Sequence, residues 1–203
     1  MEETQTNERR IVVPGEAIIS GDEFLPGFGA RREGEEIVAN QYGLSEISEK
    51  FVRVIPVSGK YFPRRGNSII VYVNGLNAKG WLLDFGGTQN AFLSVAEVPK
   101  YINQNEMLEH FDFGDAIICK VWSISGRGID VTVKMRGLGK LEGGMIFEVN
   151  PNKVPRIIGK EGSMVNLIKD ATHVEITVGQ NGRVWVRGES VEAELKTKKI
   201  VEF

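Results

Sequence analysis

Residues 157–168, Ile157-Ile158-Gly159-Lys160-Glu161-Gly162-Ser163-Met164-Val165-Asn166-Leu167-Ile168 (IIGKEGSMVNLI), are the stretch on which the fold turns. Gly159, Lys160, Glu161 and Gly162 make a G-x-x-G turn between an apolar run and an amphipathic helical pattern. Without Cβ atoms at its two ends, such a turn lets an anion come against the main chain. A helix beginning at the turn adds free N–H groups and the positive end of its dipole. A four-residue glycine spacing arises easily by chance in a chain with 24 glycines, so the flanks must supply the specificity.

They do so on both sides. Gly143 to Val149 (GGMIFEV) reads as a strand that Asn150 and Pro151 break, and Val154 to Ile158 as a short helix with Pro155 at its start. Met164, Leu167, Ile168 and Ala171 recur at helical spacing and predict the apolar face of a second helix. Val174, Ile176 and Val178 alternate as a half-buried strand does. Asn181-Gly182 is a hairpin turn signal, after which Val184 and Val186 return with Trp185 facing the other way. Ser190 is placed to cap a last helix through Val191 and Leu195. Strand, helix, helix, strand, strand, helix over residues 143–203 resembles a KH domain of the eukaryotic-type topology. That resemblance implies that Gly159, Lys160, Glu161 and Gly162, with Arg156 and Ile158 before them, clamp a single-stranded nucleic-acid backbone.

The bulk properties set the outer limits. The 203 residues are 41% hydrophobic and 26% charged, as in a folded, soluble protein. No apolar run approaches the ~20 residues of a membrane span, and MEETQTNERR at the start lacks the apolar core of a signal peptide, so a cytoplasmic location is expected. Cys119 is the single cysteine and reads as a buried strand residue. With only His110 and His173 beside it, a Cys/His zinc site is not expected, nor is any other metal or cofactor. The formal net charge is −2. Residues 1–63 carry 7 Lys/Arg against 11 Asp/Glu, whereas residues 64–140 and 150–203 each carry 9 against 7. Nucleic-acid binding would therefore rest on local sites in the two later segments and not on a broad basic field.

Residues 66–136 read as a five-stranded barrel. The strands expected are Ser68–Val73 ended by an Asn74-Gly75 turn, Gly80–Phe85, Asn90–Leu93, Ala116–Ser123 and an alternating run from Ile129 to Met135. GNSIIVYV, KGWLLDF, AFLSVAEV, FGDAIICKV and GIDVTVKMR together resemble the S-one RNA-binding domain, an OB fold. The family often places aromatics on either side of the strand-two glycine and a histidine in strand three. Lys79, Leu82 and Ser94 stand there in this chain, which weakens the stacking on which OB folds rely. Trp81 is expected in the core or at a domain interface. Lys79, Lys120, Arg127, Lys134 and Arg136 are the candidate phosphate contacts, each with the alternative of a solvated surface charge.

Ile11 to Ile19 opens a separate, turn-dense segment with short strands expected at Glu36–Ala39, Gly43–Ile47 and Phe51–Val57. It reads as a small half-barrel that must bury one face, either on the middle barrel or on a partner. The fold class expected is thus multidomain and β-rich. It comprises an N-terminal β half-barrel for partner docking (1–63), an S-one-type OB-fold barrel (64–140) and a C-terminal α+β KH domain (141–203).

RRIVVPGE, PGFGA, the S-one domain and the single KH domain, in this order, resemble the archaeal exosome RNA-binding cap subunits across the whole chain. The resemblance implies a non-catalytic subunit, three copies of which sit on a ring of RNase PH-like subunits. The cap recruits single-stranded RNA, and the ring degrades it from the 3′ end with phosphate. The residues themselves favour no enzyme: no nucleophile–base pair stands out, and Asp84, Asp112, Asp115 and Asp130 are scattered. Polynucleotide phosphorylase carries the same two RNA-binding modules, but after its catalytic halves and in the opposite order. The alternative is an RNA-binding transcription elongation or translation-associated factor, although Nus-type factors join the S-one domain to KH domains that are usually two and of the other topology.

Overall fold

Backbone pairing in the computed structural model, which describes residues 9–57, 59–103, 106–126 and 128–202, arranges the strands in four sheets. The chain divides into a unit that ends at Gly59 and a second that begins at Lys60.

The first unit has strands β1 (Ile11–Val12), β2 (Ala17–Ser20), β3 (Leu25–Pro26), β4 (Ala30–Glu33), β5 (Glu36–Ala39), β6 (Gly43–Ser48) and β7 (Phe51–Pro56). One sheet runs β1-β6-β7-β3 and the other β2-β5-β4. Alternation in β7 explains the packing: Val52 and Val54 are buried, while Phe51, Arg53 and Ile55 face outward. Val54 joins Val12 and Ala39 in one apolar cluster, and Val52 joins Phe24 and Ile37 in another, so both sheets share the interior. On the outer side Glu46 lies between the guanidinium groups of Arg9 and Arg53. Their hydrogen bonds, Arg53 first and Arg9 next, hold its carboxyl below the usual carboxylate range. The stretch punctuated by Gly21, Pro26, Gly27 and Gly29 shows no strand periodicity, yet it contains β3 and β4. β3 is two residues long, too short for alternation to register, and is fixed by Leu25 N–H to the Lys50 carbonyl and Gly27 N–H to the Val52 carbonyl.

The second unit opens with the barrel: β8 (Ser68–Asn77), β9 (Gly80–Asp84), β10 (Ala91–Ser94), helix α1 (Met107–His110), β11 (Ala116–Ser125) and β12 (Gly128–Thr132). Pairing runs β12-β10-β9-β8-β11, and β11 pairs again with β12 to close the five strands. The β10–β12 pair is parallel. A two-residue strand β13 (Gly139–Lys140) pairs with the edge of β11. Trp81, Leu83, Ala91, Leu93, Ile117, Cys119, Val121 and Val131 fill the interior. Trp81 is fully buried and donates Nε1–H to the Phe111 carbonyl at 3.1 Å. Burial drives the Cys119 thiol pKa far up, so the thiol stays protonated. Asn74-Gly75 does not end the first barrel strand as expected. The pairing shifts by one residue between Val73 and Gly75, and the chain turns only after Asn77, whose Oδ1 accepts the Lys79 N–H. The absent Gly75 side chain leaves room for Leu82, so the glycine serves a bulge instead of a turn.

The remainder is β14 (Met145–Glu148), α2 (Val154–Ile158), α3 (Ser163–Thr172), β15 (Glu175–Val178), β16 (Arg183–Arg187) and α4 (Val191–Glu202), with sheet order β14-β16-β15. Val184 and Val186 pack with Phe147, Ile157, Ile168, Ile176 and Val201 inside this domain. Trp185, on the other face of β16, packs on Ile70 and Ile118 of the barrel. Both helical faces are shifted from expectation. Val165 and Ile168 pack toward the core, while Met164 and Leu167 are 46% and 62% exposed and Ala171 is exposed as well. In α4, Ser190 Oγ accepts the Ala193 N–H as a cap, yet Val191 and Leu195 face solvent and Glu194, Thr197 and Val201 are buried. α3 carries two apolar stripes at compatible spacing, and only the position of the sheet selects between them, whereas α4 buries two polar side chains that find partners, Glu194 accepting the Gly188 N–H and Thr197 donating to the Ala193 carbonyl.

The barrel and this domain are fastened at the β15–β16 hairpin. Gln180 N–H donates to the Ser68 carbonyl at 2.8 Å, and Ser68 N–H returns to Gln180 Oε1 at 2.9 Å. Arg183, nearly buried, bonds the Asp84 carboxylate and carbonyl, both at 2.7 Å, and lies over the Tyr72 ring.

Candidate nucleic-acid interface

The Gly159–Gly162 loop is built by the two helices it joins. Asn150 Oδ1 accepts the Asn152 N–H and starts a single 3-10 turn over Pro151–Lys153, from which α2 continues. α2 buries Val154 and Ile157, leaves Arg156 exposed and Ile158 half-buried, and ends where Gly159 N–H meets the Pro155 carbonyl at 2.9 Å. Gly159 sits at φ 73°, ψ 177°, a region open essentially to glycine alone. A Cβ there would stand 2.8 Å from both Cβ and the backbone nitrogen of Met164. Glu161 (φ 54°) and Gly162 (φ 81°) are also left-handed, so the loop turns sharply and delivers α3 with Gly162 as its N-cap. No side chain caps that end of α3, whose first-turn N–H groups have no intrahelical partner, and Lys160 and Glu161 are exposed just before it.

This arrangement can hold an anion by backbone donors, helix dipole and the Lys160 and Arg156 charges, against the opposing charge of Glu161. The six sequence-derived residues of this set, Arg156, Ile158, Gly159, Lys160, Glu161 and Gly162, lie in the last turn of α2 and the loop that follows it.

The barrel set does not form one patch. Lys79 is exposed in the β8–β9 turn, and its carbonyl accepts the Val95 N–H. Lys134 is exposed near Glu97, 3.8 Å away, and Arg136 follows two residues later. Lys79 and Lys134 thus both adjoin the Val95–Glu97 turn. Lys120 is half-buried on the outer side of β11, opposite Ser68. Arg127 lies outside the described residues. On the outer face of β9 and β10 the pair is Leu82 and Phe92, both half-buried, so one aromatic ring remains on the strands where OB folds commonly bind.

Sequence reasoning weighed Trp81 and passed over Trp122. Trp122 shares the outward phase of Ile118 and Lys120 in an alternating strand, a signal present in the sequence, and it is 54% exposed. Tyr101, 87% exposed beside Lys100 and His110, was also missed, because it lies in a loop without periodicity. Burial, followed by the Lys100 and Lys140 charges, lowers the pKa of His110.

Comparison with known proteins adds three findings. A family described as KH domain matches residues 144–192. Curated relatives named exosome complex component Rrp4 match nearly the whole chain. The Methanobrevibacter smithii protein is 38% identical over 194 residues, covering 95% of this chain and 64% of its own length. The Nitrosopumilus maritimus protein is 36% identical over 201 residues, covering 97% of this chain and 88% of its own. The chain thus spans less than two thirds of some relatives, 62% of the one from Methanothermobacter thermautotrophicus. A solved structure described as a putative exosome complex RNA-binding protein aligns at a TM-score of 0.63 with 28% identity, covering 71% of this chain and 86% of that one.

Proposed function

We propose a function from the premise that this chain belongs to the Rrp4 family of exosome complex components. It is a non-catalytic, RNA-binding subunit of the archaeal exosome, which caps a ring of RNase PH-like subunits in the cytoplasm. Three copies per ring receive single-stranded RNA and thread it toward 3′-to-5′ degradation and processing. The observation that carries this reading is the Gly159–Gly162 loop, whose uncapped α3 end and exposed Lys160 fit a phosphate backbone. Within residues 141–203 the loop, Arg156 and Ile158 form the RNA contact. Within 64–140, Lys79, Lys134 and Arg136 at one end of the barrel, with Lys120 and Arg127, steer the strand. Residues 1–63 dock on the ring through their β-rich surface.

The test is reconstitution. The full chain, incubated alone with labelled RNA, phosphate and magnesium, should leave the RNA intact. Added to an RNase PH-like ring, it should co-elute and speed degradation of single-stranded RNA. Deletion of residues 1–59 should abolish co-elution. The cut is placed before Tyr61 because that ring packs on the barrel core and its hydroxyl bonds Asn67. Degradation by the chain alone, scaling with its concentration through size exclusion, would overturn the reading. Co-elution of the truncated chain would move docking to the second unit.

A further inference from the structure

β11 carries a second aromatic-cationic feature away from the Gly159–Gly162 loop. Ile117, Cys119 and Val121 face the barrel interior, and Ile118, Lys120 and Trp122 face out. Ile118 is covered by Trp185, so the outward row emerges from under the KH domain at Lys120 and ends at Trp122. The β11–β12 pairing slips at this point: Val121 faces Val131, Ser123 faces Asp130, and Trp122 is the extra residue between. A bulge re-aims a side chain out of the sheet, here onto the surface.

A fixed turn supplies the cation. Asn67 N–H closes on the Arg64 carbonyl, and Asn67 Oδ1 accepts both Arg64 N–H and the Tyr61 hydroxyl. Gly66 N–H bonds the Val121 carbonyl, and Val121 N–H bonds the Asn67 carbonyl, which ties the turn to β11 one residue before Trp122. Arg65 is thereby held with its guanidinium 5.3 Å from the Trp122 ring centroid. Arg64 is exposed next to Arg65 in this turn, Lys120 and Ser123 flank Trp122 along β11, and Asp130 is the acid opposite Ser123. Ser68, which faces Lys120, is the residue that Gln180 of the KH hairpin grips, so the feature adjoins that domain.

We propose that Trp122 and Arg65 form a stacking step for a base of single-stranded RNA, with Arg64 and Lys120 taking the flanking phosphates. An exposed indole with a stacked guanidinium offers two flat surfaces to any base, and stacking is a main affinity source in OB folds. The cationic and polar rim fits a phosphodiester chain better than an apolar protein surface. The step replaces the stacking lost at Lys79, Leu82 and Ser94. It rests on the RNA-binding reading above.

The experiment uses the full chain and an oligoadenylate with a fluorescent end label. Label anisotropy measures total RNA binding, and tryptophan emission reports Trp122, since Trp81 and Trp185 are 0% and 6% exposed. RNA should quench the emission. Trp122→Leu should abolish the quenching and weaken binding about five- to a hundredfold, while Trp122→Phe retains most of the affinity. Arg65→Gln, which keeps the stem and removes the charge, should weaken binding less and leave the fold unchanged by circular dichroism. Binding by anisotropy with unquenched tryptophan and an unaffected Trp122→Leu variant would overturn the proposal and leave the RNA-binding reading intact. No anisotropy change at all would remove both. Emission that changes only on adding RNase PH-like ring subunits would make the patch a protein contact and overturn it.

Discussion

The side chain of Asn181 pairs with the backbone of Ile70 as an adjacent strand would. Ile70 N–H donates to Asn181 Oδ1 at 3.1 Å, and Asn181 Nδ2 donates to the Ile70 carbonyl at 2.8 Å. The same amide nitrogen reaches the Phe85 carbonyl at 3.0 Å. Asn181 is 8% exposed, so water has little access to take over any of these bonds.

Asn181→Asp keeps the shape but turns an acceptor toward the Ile70 and Phe85 carbonyls. At about 1–3 kcal/mol for each buried group left without a partner, the second unit should lose roughly 3 kcal/mol or more. Chemical denaturation of the full chain measures this. A loss under about 1 kcal/mol would mean that the joint opens to water without penalty.

Acid should act on the same joint. Burial pushes the Asp84 carboxyl up, but the Arg183 hydrogen bond and the Gly86 N–H together outweigh it, so the group titrates below its ordinary value. A depressed carboxylate contributes stability above the unfolded pKa of about 3.9 and loses it as pH falls through the folded value. Between about pH 5 and pH 2 the wild type should therefore lose more stability than Asp84→Asn does. Parallel denaturation series would show equal slopes if the pair were energetically idle.

Gly159→Ala should cost about 1–3 kcal/mol, because alanine has no comfortable conformation at that φ and ψ and its Cβ meets Met164. RNA affinity should fall with it, since the start of α3 must shift to make room. Thermal melting together with an RNA titration checks both, and a variant of unchanged stability would show that the loop relaxes freely.

Lys160→Asp with Glu161→Asp separates charge from fold. Both positions are exposed, and aspartate tolerates the left-handed conformation of Glu161. The melt should be unchanged, while RNA affinity drops about three- to tenfold at low salt. For the wild type, contact with ~3–5 phosphates gives a log–log salt slope of about −2 to −3.5. Equal affinity of the double variant would take the loop off the RNA path, and a slope near zero would assign the binding to stacking alone.

Much of this architecture is legible in the residues because strands announce themselves by alternation. The barrel strands and Trp185 facing away from Val184 and Val186 follow from period two, and the hairpin at Asn181-Gly182 follows from its turn residues. The face of α3 does not, because Met164-Leu167 and Val165-Ile168 are equally spaced and only the sheet beneath selects between them, and that of α4 does not, because it buries the polar Glu194 and Thr197 beside Val201. β3 is too short to carry a pattern. The phase of Trp122 was present in the sequence, but its exposure depends on how far the KH domain extends along β11. Nor does a hairpin motif announce that the asparagine promoting the turn will spend its amide on another domain.

That last feature bears on how the molecule tolerates change in length. A surface hairpin usually accepts an inserted residue, because a longer loop costs little. At Gly179–Gly182 one added residue would carry Asn181 out of line with Ile70 and Phe85 and separate Gln180 from Ser68. This tip is therefore a poor place for tags, grafted loops or permuted termini, although its position between two strands would suggest otherwise.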